Sequence, residues 1–396
     1  MIGPGWAGNE REKPQAGGEG NRRIAIVTGT RAEFGLLRPV MHAVRDRDDL
    51  ELMVIAAGSH LVQPARTYYE IKQEFDVIDS VPMQTVGRVG RWHDVESTGK
   101  GISRFARSFE RLRPDVVVVL GDRIEAFAAA SAASIGGIPL AHIHGGDLAE
   151  GVADEAMRHA ITKLAHIHFP ATDTSANRIK RMGEPASRVH VVGSPAIDGL
   201  GGFDTMGDEQ AQELGDPECA FMMHPIGRPD EQEEAVASAA LEAIGDRRTL
   251  CLMPNLDPGR VGIVRAIESH DAHAHVTVRD HLPRTEFVPL LKRLASTGGL
   301  LVGNSSAGLI EASAVGLPVV NIGPRQSGRE RGSNVVDASG ENAGAIADAI
   351  GQAIELDRNA ITHPFGDGSA GPRIAAELAD VNLADPALLR KHFIEG

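Results

Sequence analysis

Apolar and polar positions along this chain switch between a period of two and a period near 3.6, and the switches mark out a repeated unit of strand followed by helix. From Arg23 onward the pattern predicts a strand over 24–28 (IAIVT), a helix over 36–45, a strand over 51–56 and a strand at Val116–Leu120 (VVVVL) that shows no polar alternation. A strand that is apolar on both faces belongs in a parallel sheet covered by helices. The series continues with a helix over 125–135, a strand over 139–143, a helix over 154–165, a strand over 166–170, a helix over 174–182 and a strand over 189–192. This is the pattern of a doubly wound α/β domain. A Gly- and acid-rich stretch, 199–218 (GLGGFDTMGDEQAQELGDPE), interrupts it and reads as a linker. A second series restarts with 219–223 and proceeds through 231–244, 249–253, 261–269, 275–279 and 284–295. The expected fold class is α/β, with two doubly wound Rossmann-like domains facing a cleft. Their expected limits are 22–200 and 219–370, joined by a linker over 201–218, with a helical segment over 371–396 placed to cross back to the first domain. No internal sequence repeat is evident.

The second series ends in the most chemical stretch of the chain, 300–331 (LLVGNSSAGLIEASAVGLPVVNIGPRQSGRER). It predicts a buried strand over 300–302, a turn at Gly303-Asn304-Ser305-Ser306, and a helix over 307–315 stopped by Gly316 with Pro318 beyond. The first amides of such a helix have no internal partners and carry the positive end of its dipole, so an anion can lie there. Ser305 and Ser306 would add hydroxyl donors, and Glu311 could accept hydrogen bonds from a sugar diol. An ordinary capped helix behind a strand shows the same pattern.

Composition narrows the picture. With 396 residues and 42% hydrophobic content, the chain is long enough for two domains of ordinary size. A formal net charge of −14 argues against a nucleic-acid backbone or an anionic membrane as partner. Any nucleotide must therefore be met by local groups. Two cysteines, Cys219 and Cys251, leave no disulfide framework or Cys-rich metal site; both read as core residues, and a reducing cytoplasm is the expected location. No apolar run approaches ~18 residues, and residues 1–21, polar and Gly-rich, read as a disordered tail.

Ligands of α/β sheets bind beyond the carboxyl ends of the strands. The first strand ends in Thr28-Gly29-Thr30-Arg31, where glycine would let a phosphate approach and Arg31 could pair with it. Val116–Leu120 ends in Gly121-Asp122-Arg123, a carboxylate and a guanidinium side by side. The strand over 139–143 runs into His142-Ile143-His144-Gly145-Gly146-Asp147, and alternation sends the two histidines to one face. An H-x-H pair suggests a metal, but no third ligand stands at usual spacing, and His166-Ile167-His168 can equally be filling core. The next helix opens with Asp154-Glu155, two acids where the helix dipole holds carboxylates ionised, the first of which an N-cap would equally explain; along it Met157, Ile161, Leu164 and His168 form the core face, while Arg158, His159 and Lys163 lie elsewhere. In the second domain, strand ends place His224-Pro225 and Pro254-Asn255-Leu256-Asp257 toward the cleft.

Taken in order, Thr28-Gly29-Thr30-Arg31-Ala32-Glu33-Phe34-Gly35, Gly121-Asp122-Arg123, the His142–Asp147 run, Asp154-Glu155 with Arg158-His159-Ala160-Ile161-Thr162-Lys163, His224-Pro225, Pro254-Asn255-Leu256-Asp257, Gly303-Asn304-Ser305-Ser306 and Arg325-Gln326-x-Gly328-Arg329 resemble the hydrolysing UDP-N-acetylglucosamine 2-epimerases of bacterial sialic and legionaminic acid pathways. The resemblance runs from about Ile24 to His363-Pro364-Phe365. It implies a glycosyltransferase-B-like fold, a UDP-sugar substrate, no metal, no nicotinamide or other cofactor, and a dimer or tetramer. It also implies a reaction in which the C2 proton is removed, UDP leaves the anomeric carbon, and water adds to the resulting 2-acetamidoglucal to release N-acetylmannosamine. Such chemistry needs an acid/base pair and charge stabilisation for the departing diphosphate. By similarity Asp122 and Glu155 are the leading acid/base pair, with Asp147 and His224 as further catalytic candidates. Arg31 and Arg123 would hold the anionic end, Ser305 and Ser306 phosphate oxygens, Glu311 the ribose, and the loop around His281-Leu282-Pro283 the uracil. His144, Asn255 and Arg325 complete the substrate-binding set.

The chain departs from the family at two places. The animal branch has Glu where His144 stands, and many members have Glu where Asp147 stands, one methylene longer. His144 is familiar from bacterial members and leaves open a UDP-2,4-diacetamido-trideoxyhexose as substrate. A non-hydrolysing epimerase would share the fold but typically opens with Gly-Thr-Arg-Pro-Glu, which differs at Ala32; a transferase or silent nucleotide-sugar binder would have no use for the acid/base residues.

Overall fold

The computed structural model describes residues 20–63, 67–88, 90–148, 155–255, 259–392 and 394. The first sheet consists of β1 (Arg22–Thr28), β2 (Leu50–Ala57), β3 (Val77–Val81), β4 (Val116–Leu120), β5 (Leu140–Ile143) and β6 (Ile167–Phe169). The second holds β7 (Cys219–Met222), β8 (Thr249–Leu252), β9 (Val276–Arg279), β10 (Leu300–Gly303), β11 (Val319–Asn321) and β12 (Val335–Asp337). Every pairing is parallel. The orders are β3-β2-β1-β4-β5-β6 and β12-β11-β10-β7-β8-β9. Counted from its own first strand, each sheet has the order 3-2-1-4-5-6, so the domains repeat a topology that their sequences do not show. Two doubly wound domains facing a cleft form a glycosyltransferase-B-like fold.

Burial explains the run VVVVL: all five side chains of β4 are buried, alternating between two cores. One core packs β1, β2 and β4 against helix Arg31–Arg45; the other packs them against helices Arg91–Leu112 and Ile124–Ile135. Cys219 and Cys251 are both buried in the second domain, where burial pushes the Cys251 thiol up to about 12. The C-terminal helix Ala370–Asp380 lies on the first domain, with Ile374, Ala375 and Leu378 in the core beside Leu37 and Val40. Its first amides, of Ala370 and Gly371, donate to the Asp198 carboxylate at 2.9 and 2.6 Å.

Several expectations need correcting. Residues 189–192 form no strand; only Val189 bridges to His168, and the chain then runs on as an extended edge whose His190 amide donates to His168 O. The helix expected over 307–315 is two short turns, Ser306–Leu309 and Glu311–Ala314, interrupted at Ile310. The 199–218 stretch contains helix Asp208–Glu213, and its Met206, Ala211 and Leu214 are buried beneath Leu290 and Leu294. Alternation also names nothing between residues 57 and 115, yet the chain there forms β3 and the long helix Arg91–Leu112. That helix buries Ser97, Gly101 and Ser108 along with Phe105 and Phe109, because a side chain at Gly101 would meet Met83 and Ala128. A face of small residues carries little hydrophobic signal. β12 and helix Ala343–Ile354 also escaped the pattern.

Candidate active site

Both topological switch points, between β1 and β4 and between β7 and β10, open toward the cleft, and nearly every polar group singled out in the sequence is carried by loops at these strand ends. In the first domain Thr30 caps helix Arg31–Arg45, and the Glu33 carboxylate reaches back to accept from the Gly29 and Thr30 amides at 2.8 and 3.0 Å. Gly29 therefore does not offer its amide to a phosphate. A side chain at that position would collide with Glu125, so it is Glu125 that uses the space the glycine leaves. Arg31 sits at the exposed rim, 3.7 Å from Glu70, and is near enough to His281 of the second domain for their charges to interact.

The centre of the first-domain half is Arg158, which the apolar spacing of its helix, Glu155–Leu164, places outside the core face; the structure buries it. A long cation can be buried because two carboxylates meet it. Its Nη2 donates to Asp122, and its Nη1 lies 3.7 Å from Asp147 Oδ2. Asp147 also accepts from His144 Nδ1 at 2.7 Å and from the Ser175 hydroxyl at 2.8 Å. Burial acts to raise the Asp147 carboxyl, but His144, Arg158 and Ser175 outweigh it and hold the group well below the usual carboxylate range. Glu155 opens the same helix, 3.4 Å from His159, and its charge reaches Arg158. Asp154 lies outside the described residues, as do Leu256 and Asp257.

His142, on β5, and His144, just after it, do not share a face. His142 is fully buried, with Nε2 donating to Gly121 O at 2.8 Å and Nδ1 3.1 Å from the Thr162 hydroxyl. His144 lies past the strand end at φ +60°, where alternation no longer holds, and its Nε2 lies 3.0 Å from Ser194 Oγ. His166 and His168 are buried as well, the latter 3.2 Å from Glu184. Among the described residues no group of three His, Cys, Asp or Glu is placed to hold a metal ion.

From the second domain, His224 follows β7. Its ring Nδ1 accepts from the Asn255 amide at 3.2 Å, and its backbone is fastened to Asn304 at 2.7 and 2.8 Å. Burial, reinforced by Arg325, pushes the imidazole pKa down to about 3, so the ring is neutral and Nε2 carries the proton. Arg325 and Gln326 both donate to Asn304 O, at 3.1 and 2.7 Å, fixing the turn after β10. Ser305 caps the turn that follows, its hydroxyl accepting from the Ala307 amide at 3.4 Å, and Ser306 opens that turn. Glu311 stands one step further along; burial raises its carboxyl and Arg284 counters it.

The cleft is bridged. The Thr172 hydroxyl at the start of helix Asp173–Arg181 donates to Glu330, and Arg284 donates to Ala196 O at 2.7 Å. Beside Glu330, Arg329 interacts across the cleft with Asp147, Asp122 and Arg158. Burial first, then Arg158, lowers its guanidinium to about 10. Arg158, Arg329, Asn304 and Ser175 are site residues to which the sequence reading gave no role. Arg158 and Arg329 stood inside quoted motifs, but apolar spacing cannot reveal a buried charge whose partners come from other elements.

Residues 42–379 match the UDP-N-acetylglucosamine 2-epimerase family. The chain belongs to that family. It is 36% identical over 373 residues to the hydrolysing UDP-N,N'-diacetylbacillosamine 2-epimerase of Legionella pneumophila, an alignment covering 91% of this chain and 97% of that one. It is 31% identical to a UDP-N-acetylglucosamine 2-epimerase of Neisseria meningitidis, covering 88% and 91%. Among solved structures, a Neisseria meningitidis UDP-GlcNAc 2-epimerase bound to UDP-GlcNAc superposes with a TM-score of 0.74 at 21% identity, covering 90% of this chain and 99% of that one. No described helix is long and apolar enough to cross a membrane.

Proposed function

We propose that this enzyme is a hydrolysing 2-epimerase, which takes a UDP-linked 2-acetamido sugar to the free 2-epimer and UDP through a 2-acetamidoglucal, without a metal or cofactor, in a reducing cytoplasm and as a homodimer or tetramer. The observation that carries the reading is the meeting of charges across the cleft: Asp122 and Asp147 share Arg158 on one side, and Arg329 of the other domain interacts with all three. Arg158 and Arg329 bring guanidiniums from both domains to one place, groups whose planar donors suit a diphosphate. Asp122 and Glu155 would be the acid/base pair at C2 and on the opposite face. Asp147, held ionised, would orient Arg158 and His144 and is poorly suited to carry a proton. Neutral His224 would donate from Nε2 to the departing diphosphate. Ser305, Ser306 and Arg325 would hold phosphate oxygens, Arg31 and Arg123 the anionic end from the first domain, Glu311 the ribose, and His281 with Asn255 the nucleoside side.

The similarity to the Legionella enzyme favours a 2,4-diacetamido sugar; the Neisseria relative favours UDP-N-acetylglucosamine itself. Proton NMR of each substrate with the enzyme in D2O tests both questions. A free 2-epimer deuterated at C2 is the expected product; a mixture still linked to UDP would mean non-hydrolysing epimerisation, and no change would remove the epimerase reading. The sugar that turns over with the higher kcat/KM identifies the substrate.

A further inference from the structure

Behind the acidic strand ends of the first domain lie two buried carboxyl groups to which the reaction assigns no part. Glu125, on the first turn of helix Ile124–Ile135, is wholly buried, and Glu33, on the first turn of Arg31–Arg45, is nearly so. Both converge on Gly29. Glu33 Oε2 takes the Gly29 amide, while the Glu125 side chain fills the space over the Gly29 and Gly58 α-carbons. One oxygen of each, Glu33 Oε1 and Glu125 Oε2, is buried without a hydrogen-bond partner. Two ionised carboxylates near enough for their charges to act on each other, each with an unsatisfied buried oxygen, would be costly; one proton held by the pair removes a charge.

We propose that Glu33 and Glu125 form a carboxyl–carboxylate pair sharing one proton, and that this proton holds the loops after β1 and β4, with Arg123, in the arrangement the cleft requires. Glu125 meets four strand-end segments: Gly29 after β1, Gly58 after β2, Gln84 after β3, whose Nε2 donates to Glu125 Oε1 at 2.6 Å, and Arg123 after β4, with Nε 3.9 Å from Glu125 Oε2. The charged groups facing Glu33 are Glu125, Arg123 and Asp122, with His60 nearby beneath Thr28. Burial first, and the Glu125 charge second, raise Glu33 to about 8, against which the Gly29 amide and Arg123 pull downward. Loss of the proton in mildly alkaline solution therefore sets two negative charges together under the Gly29 turn and pulls Arg123 toward them. Glu33 and Glu125 are positioning residues, since neither reaches the proposed substrate.

Infrared difference spectroscopy of the full chain between about pH 6 and 10 tests the pair directly. A protonated-carboxyl band should disappear with a midpoint near 8. It should be missing in Glu33→Gln, which mimics the protonated form, and its midpoint should move to lower pH in Glu125→Gln. No carboxyl titrating above pH 7 in the parent, or a band indifferent to both variants, overturns the pair. The effect on Arg123 rests on the UDP-sugar reading and is measured by calorimetry with UDP: the parent's affinity should weaken about threefold or more above pH 8, and Glu33→Gln should lose that dependence. A base limb that persists unchanged in Glu33→Gln overturns the positioning role, while absence of UDP binding at every pH would sink the epimerase reading and leave the infrared result standing.

Discussion

Arg158 shows how much one buried side chain organises. Because it is held by Asp122 and Asp147 together, removing either acid strands part of a buried charge, whereas an amide keeps an acceptor in place. Asp122→Asn should therefore fold normally and bind UDP within about threefold of the parent, while losing roughly 10²–10⁴-fold in turnover if Asp122 transfers a proton. Single-turnover kinetics with calorimetry checks both, and near-parental turnover would eliminate Asp122 as acid or base. A second residue-scale prediction concerns Glu184, which pairs with Lys163, His168 and Lys391. Burial acts to raise its carboxyl, but these three partners outweigh it and bring the group down to about 2. A depressed carboxyl stabilises the fold above its unfolded value of about 4.5 and loses that contribution as pH falls toward 2. Glu184→Gln should thus lower the melting temperature at pH 7 and flatten its decline below pH 5, read by thermal melts over pH. An unchanged acid limb would show that other groups control it.

At the scale of elements, the serine turn after β10 differs from a simple capped helix. The turn Ser306–Leu309 is only 4 residues long, so little helix dipole is available, and affinity for a diphosphate must come chiefly from the two hydroxyls and Arg325. Ser305→Ala with Ser306→Ala removes two donors to a charged acceptor, each worth roughly 1.5–3 kcal/mol. UDP should bind at least tenfold more weakly, while the lost cap costs the fold only about 1 kcal/mol. Calorimetry and a melt of the double variant measure the two effects; unchanged UDP affinity would move the phosphate site elsewhere.

Across the whole molecule, the C-terminal helix ties the two ends of the chain together. Leu378 is fully buried in the core formed by one face of the first sheet and the first helix, and Arg22 donates to the carbonyls of Leu378 and Ala379. Leu378→Ala should therefore destabilise the first domain by about 2–5 kcal/mol, although it lies more than 300 residues from β1 in sequence. Urea unfolding monitored in the first domain would show the loss; a change below about 0.5 kcal/mol would mean that the helix is only loosely docked.

What the sequence determined by itself is what local periodicity and strand-end chemistry encode: parallel strands apolar on both faces, two doubly wound domains, and a cleft lined by Gly121-Asp122-Arg123, His224 and the serine turn. The fold is legible because burial on two faces leaves an uninterrupted apolar run, and the lining is a candidate because a polar residue at a strand end interrupts that run. Tertiary structure alone decided which charges are buried. Arg158 reads as a surface residue on its helix, and Asp122 and Asp147, in the loops after β4 and β5, make its burial tolerable. Gly29 reads as a phosphate-binding glycine until Glu125, from a helix nearly 100 residues away, is seen to fill its space. Arg329 joins the site only through the packing of the second domain against the first. In each case the deciding energy is an electrostatic or steric contact between segments distant in sequence, which periodicity along the chain cannot express.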